Sequence, residues 1–379
     1  MLQPEVISLF KSLLSEHYSK SEDYVPAAVE KREFGFGDFE KKIAFRHVAF
    51  KNGGELKRYL IDNSPPFVSC SSAEYQSPDG RPMEAKGWLG SELIFDLDAT
   101  DLHLKCQEQH GRSWVCQNCL DSVKEETVRL VEDFLIADFG FLEKDIRINF
   151  SGNRGYHVHV TDSDAFTLDS KARRQISEYI TGTGLEAQKF FEIRTVKKTL
   201  FGPQPDSNGW GGKFAKGMIT ALNSERELVE LGIDVKTAKQ LVDKKEEVKL
   251  GISLGVWDKV KIPKKAEFWT GVVRRMAIQQ SDSIDRNVTN DTGHLLRLPN
   301  TIHGDTGLSG RSLGGVKQLQ SFDPMKDAVV LRGRPLKVHV EKAPQFSIGG
   351  ETFGPFEDKG VELPLPAALY LLLKKSARL

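Results

Sequence analysis

The sequence predicts a mixed α/β (α+β) chain interrupted twice, by a compact cysteine knuckle over 103–120 and by a helical subdomain over 171–267. Three observations carry this. Short apolar runs at 43–50, 92–98, 146–150 and 156–160 have strand character and are interleaved with amphipathic stretches. Three of the four cysteines fall within residues 106–119. From about 170 to 265 the pattern is charge-rich and helical, and strand-like runs resume only at 328–331 and 338–340. The expected organisation is one domain built from 1–170 and 268–379, with the helical segment inserted between its halves.

The elements follow in chain order. Val6, Leu9, Phe10, Leu13 and Leu14 share one helical face, so a helix is expected over 5–17. Ser122 and Glu125 have capping-box spacing. Val123, Leu130, Val131, Phe134 and Leu135 then line a helix that Gly140 can close. The runs 146–150 and 156–160 flank a glycine-bounded turn and read as a hairpin. Helices are expected at 225–231, 235–249 and, at the end of the sequence, 366–375.

Composition sets outer limits on function. Of 379 residues 39% are hydrophobic and 28% charged, ordinary values for a soluble globular protein. The 53 basic and 53 acidic residues balance, so a nucleic-acid partner would have to be met by a local basic stripe. No apolar run approaches the roughly 18 residues of a membrane span, so no membrane role is expected. The start Met1-Leu2-Gln3-Pro4-Glu5 lacks the basic-then-apolar build of a secretory signal, and four cysteines are too few for a disulfide scaffold. An intracellular, reducing location is expected.

Three segments carry chemistry. Glu92-Leu93-Ile94-Phe95-Asp96-Leu97-Asp98 ends an apolar strand with two aspartates one residue apart, so Asp96 and Asp98 project from one face. Paired carboxylates repel unless a cation neutralises them, and divalent metals do so in nucleotidyl transfer. The same residues, with Thr100, also fit the nucleophile motif of haloacid-dehalogenase-like phosphatases, with Asp162 and Asp164 as the downstream acidic pair. Cys106, His110, Cys116 and Cys119 form a Cys3His set suited to one structural Zn²⁺, His103 being an alternative to His110. Ser151-Gly152-Asn153-Arg154-Gly155, followed by His157 and His159, combines close backbone approach with a hydroxyl and a guanidinium fork. A later segment runs from Asp285 through Arg297 to His303 and Gly307-Leu308, again with groups suited to anionic oxygens.

Together these segments resemble the small, catalytic subunit of archaeal and eukaryotic replicative DNA primases. The order matches that family: Arg32-Glu33-Phe34, the paired aspartates, the cysteine knuckle, the serine–glycine turn, and the Arg297–His303 segment. The resemblance implies an α/β primase catalytic fold with a helical subdomain beside it. It implies that Asp96, Asp98 and Asp285 hold catalytic Mg²⁺ or Mn²⁺ and that Ser151, Arg154, His157, Arg297 and His303 bind the triphosphate. Arg46 and Glu33 match further active-site positions, at a spacing one residue longer than in the eukaryotic pattern. Asn153 stands where eukaryotic relatives carry a second arginine. The implied activity is template-directed synthesis of short primers on single-stranded DNA from nucleoside triphosphates. The implied partner is a large regulatory subunit in a heterodimer, and the location is the cytoplasm of an archaeon (at the nucleoid) or a eukaryotic nucleus. The alternatives are a related polymerase of end-joining or lesion bypass, and the phosphatase.

Overall fold

The computed structural model describes every residue except 1, 22, 113, 195–197 and 281–283, and leaves out the side chains of 278–280. The chain divides into two compact units. The first comprises Met1–Val131, Phe141–Arg174 and Asp285–Leu379; the second comprises Glu132–Gly140 and Gln175–Ile284.

The first unit holds two four-stranded sheets. One is ordered Leu295–Arg297, Phe67–Ser71, Phe34–Gly37, Phe45–Val48, and all its pairings are antiparallel. The other is ordered Arg311–Gly314, Ile146–Phe150, Gly155–Val160, Leu93–Asp98, also antiparallel throughout. The expected hairpin is present as Ile146–Phe150 and Gly155–Val160, its register pairing Phe150 with Tyr156.

Alternation along these strands sorts chemistry from core. In the second sheet Phe95, Leu97, Tyr156 and Val158 are wholly buried on one face. Asp96 pairs in register with His157 and therefore shares the opposite face with it. The first sheet is backed by the helices Pro4–Lys20 and Gly53–Asn63, which bury Phe10, Leu14, Leu56 and Leu60 against Phe34, Phe36 and Val68. The 5–17 helix is thus present and three residues longer at its C-terminal end.

Other sequence expectations shift. The helix expected at Ser122 already begins at Gln117, directly after Cys116, so Ser122 lies inside it and does not cap it. Residues 328–331 form no strand; Ala328 and Leu331 are buried as irregular chain. The 235–249 helix is two helices, Val235–Asp243 and Lys245–Ser253, parted at Lys244. The terminal helix spans Leu365–Leu373 and is buried on every side except at Pro366, which is why its sequence is almost wholly apolar.

The second unit is mainly helical, with one ribbon pairing Glu192–Arg194 and Thr199–Phe201. Its core stacks Phe214 on Trp257 at 5.0 Å and sets Trp269 edge-on to Trp257. Its last helix, Lys265–Gln280, runs across position 267.

Candidate active site

A cleft of about 200 Å³ opens between the two sheets of the first unit. One sheet contributes Ser69, Leu295, Leu296 and Arg297; the other contributes Asp96, Asp98, Gly155 and His157. Ser151, Asn153, His294, His303, Lys42 and Ile43 complete the lining. Six residues singled out in the sequence, drawn from segments up to 207 positions apart (Asp96 to His303), therefore meet in one cavity.

The hairpin turn is shaped by its glycines. Gly152 has φ +81°, and a Cβ there would lie 3.0 Å from His303 Cβ. A Cβ on Gly155 would lie 1.9 Å from the Leu97 carbonyl oxygen, so only glycine lets the hairpin press onto the carboxylate strand. The Thr306 hydroxyl donates to the Gly152 carbonyl at 2.6 Å and ties the His303 loop to the same turn. Ser151 Oγ accepts from the amides of Asn153 and Gly155, both at 3.3 Å. Gly155→Ala is expected to cost about 1–3 kcal/mol, the scale of overpacking, and to displace the carboxylates. Chemical denaturation and catalytic rate should fall together.

The carboxylates occupy one end. Asp98 Oδ1 accepts from the Thr100 amide at 2.9 Å and its hydroxyl at 2.8 Å, while Oδ2 pairs with Arg154 at 2.9 Å. Asp285 enters through its backbone, its amide donating to the Asp96 carbonyl at 2.9 Å, and its side chain caps the following helix. Asp96 keeps 29% side-chain exposure. Even so, the enclosing walls, and then the charges of Asp98 and Asp285, push its carboxyl up to about 7. Asp101, which the sequence reading passed over, is raised by burial and by the same two neighbours. Its signal was available, three positions after Asp98 in the same acidic run. These acids fit a site for divalent cations, because like charges held together need a positive partner.

Basic and neutral groups complete the cleft: Arg297 belongs to the facing sheet, His303 to the loop that follows it, and His157 sits beside Asp96 with Nε2 3.5 Å from its Oδ1. Burial holds Arg297 down at about 10, still protonated at neutral pH; its guanidinium lies 5.2 Å from the Phe67 ring centroid. His157 is pushed down to about 3 by burial, with His159 and Arg297 adding, and His303 falls well below its ordinary value for similar reasons. Both are neutral. His303 Nδ1 accepts the Asp305 amide at 3.1 Å, which places its own proton on Nε2 as a donor.

Several residues singled out in the sequence lie outside the cleft lining, among them Asp285, Arg154, Arg46, Glu33, His159 and Asp162. Arg154 stands at its edge, paired with Asp98. Arg46 binds Glu33 through Nε at 2.9 Å, and Glu33 is fully buried, held also by the buried Lys86 at 2.9 Å. Burial opposes ionisation of Glu33, but Arg46, Lys86 and the His47 amide together hold it below the usual carboxylate range. His159 turns away to a buried network, its Nδ1 2.7 Å from Glu92, which also meets Arg32 and Arg147. Asp162 caps the short helix Ser163–Phe166, beyond the strand end opposite Asp96, and does not join it as a phosphatase acid would.

Away from the cleft, Cys106, His110, Cys116 and Cys119 bring their ligand atoms within 4.8 Å of one another. Cys119 Sγ lies 3.4 Å from Cys106 Sγ, 3.7 Å from Cys116 Sγ and 3.6 Å from His110 Nε2. Tetrahedral Zn–S bonds of about 2.3 Å imply edges of about 3.8 Å. His110 Nδ1 lies 2.8 Å from the Gly111 carbonyl, an interaction that leaves Nε2 free for a metal. His103 is turned to Arg112 instead, so the fourth member of the cluster is His110. The four residues could hold a metal such as zinc.

The family described as DNA primase small subunit matches residues 95–313. The DNA primase small subunit PriS of Methanococcoides burtonii is 35% identical, aligned over 97% of both chains. That of Methanothrix thermoacetophila is 33% identical over 98% of both. That of Thermoplasma volcanium is 35% identical over 84% of this chain and 80% of its own. No helix among the described residues is long and apolar enough to cross a membrane.

Proposed function

The chain belongs to the DNA primase small-subunit family, and from that premise we propose that its inter-sheet cleft makes short primers on single-stranded DNA from nucleoside triphosphates, releasing pyrophosphate. The observation that carries this reading is the polarity of the cleft. The Asp96 and Asp98 carboxylates lie on one sheet beside the neutral imidazole of His157, while the half-buried Arg297 faces them from the other sheet with neutral His303 nearby.

Asp96, Asp98 and Asp285 would hold Mg²⁺ or Mn²⁺. Bound there, the ions would lower the charge barrier to attack by a 3′-hydroxyl and offset charge on the leaving pyrophosphate. Arg297 and the Nε2–H of His303 donate to phosphate oxygens, and Ser151 adds a hydroxyl. Arg154 offers the same fork once its grip on Asp98 is exchanged for a phosphate. His157, neutral at working pH, donates without adding charge. Glu33 fixes Arg46 at the rim.

The Cys3His cluster would bind one Zn²⁺ with no open position, as a structural metal. The expected partners are a large regulatory subunit and the template strand, and the archaeal relatives point to a cytoplasmic location.

The direct test is unprimed synthesis by the pure chain on a single-stranded template with Mg²⁺ or Mn²⁺. Absence of any new chains, with the large subunit also supplied, would overturn the reading. Arg297→Ala should reduce nucleotide kcat/KM by roughly a hundredfold, the scale of one lost transition-state donor. Template affinity should stay unchanged when measured by anisotropy. Loss of template binding with intact nucleotide affinity would move that strand to the nucleic-acid groove.

A further inference from the structure

Asn153, at the tip of the hairpin, lines the cleft. Its side-chain oxygen accepts from the Lys374 ammonium at 3.5 Å. Lys374 follows directly on the Leu365–Leu373 helix, and its ammonium lies 5.6 Å from the Tyr370 ring centroid. Because that helix is buried nearly all round, the lysine stem is fixed and its charge is delivered to one place.

The charged groups facing Lys374 are Arg154 and Lys42, both positive, and Asp305 and Asp98, both negative. Lys42 lines the same cleft. His303 lies in the combined field of Arg297, Lys42, Lys374 and Arg154. Four cations from four separate segments thus converge beside the hairpin turn. Positive groups crowded into a half-buried wall repel one another, and an arriving polyanion relieves that repulsion.

We propose that Lys374 is a phosphate contact for the incoming nucleotide, acting with Lys42 on the hairpin side of the cleft. This rests on the cleft being the nucleotide site. The ammonium has the reach and charge to bind triphosphate oxygens, and Asn153 serves as its resting partner. Burial, with Arg154 and Lys42 adding, pushes its pKa down to about 8. The contact is therefore charged at neutral pH and lost as pH rises through that value.

The test is equilibrium binding of ATP, and of adenosine as the phosphate-free probe, to the full chain with Mg²⁺ and no template. Lys374→Met should weaken ATP about tenfold or more, the scale of one charge-assisted hydrogen bond, and leave adenosine unchanged. Lys374→Gln keeps a donor for Asn153 but no charge. It should lose ATP affinity equally, and unchanged ATP binding by a folded Lys374→Gln would reduce the lysine to a tether and overturn the inference. Lys374→Arg should retain affinity and abolish its decline above pH 8. Asn153→Arg combined with Lys374→Met should recover most of the loss. Arg297→Ala separates the two readings. If it loses ATP affinity while the Lys374 variants do not, only this inference falls; if neither does, the nucleotide site itself is misassigned.

Discussion

Asp98→Asn should abolish primer synthesis, lowering the rate at least a thousandfold with either Mg²⁺ or Mn²⁺, which corresponds to about 4 kcal/mol. The substitution keeps the shape of the side chain, and its oxygen can still accept the Thr100 amide. What disappears is the negative charge that a cation requires. Circular dichroism and melting should therefore remain close to wild type while synthesis is lost. Asp96→Asn should be equally inactive but should differ in stability. The Asp96 carboxyl titrates at about 7 in the fold, above its unfolded value. Its contribution to stability is thus fully present below the unfolded pKa and is lost as pH rises through 7. In chelator, Asp96→Asn should melt above wild type at pH 8, and the gain should vanish toward pH 4. Near wild-type synthesis by either variant would remove the carboxylates from the chemistry.

Much of this arrangement was legible in the sequence because strand periodicity is local. Asp96-Leu97-Asp98 had to place both acids on one face, and Gly152 and Gly155 marked where the backbone needed freedom or proximity. Segment order extended that reading to Arg297 and His303, which reach the cleft through pairing of Leu295–Arg297 with Phe67–Ser71. Such long-range pairing leaves no trace in spacing. For the same reason Lys42 and Lys374 stayed hidden. One sits in a loop between strands of the first sheet and the other ends an apolar helix, with no motif around either. Ser122 misled because its capping spacing is genuine, yet the helix had already started beside Cys116. His103 and His110 were equivalent by spacing; the hydrogen bonds of their rings separated them.

Loss of the metal expected at the cysteine cluster should unfold more than the knuckle. Structural zinc can supply roughly 10–16 kcal/mol of coupled folding energy at neutral pH. The cluster sits where the Gln117–Arg129 helix begins, so freeing Cys116 and Cys119 releases the first turn of that helix. Trp114, between the ligands, is buried and packs edge-on to Phe346 at 5.8 Å and Tyr370 at 5.6 Å. Tyr370 belongs to the terminal helix that ends at Lys374. A loosened knuckle should therefore slacken the wall carrying that lysine as well as its own turn. Protein purified without chelator should contain one zinc per chain. Cys119→Ser should lose it and melt lower by roughly 10 °C or more. His110→Ala should also lose zinc, whereas His103→Ala should keep it while losing the contact with Arg112. In these variants synthesis should fail with stability and recover partly on cooling, unlike Asp98→Asn, whose defect should persist at every temperature. Full zinc content in Cys119→Ser, or an unchanged melting point after the metal is stripped, would show that the cluster does not organise this part of the fold.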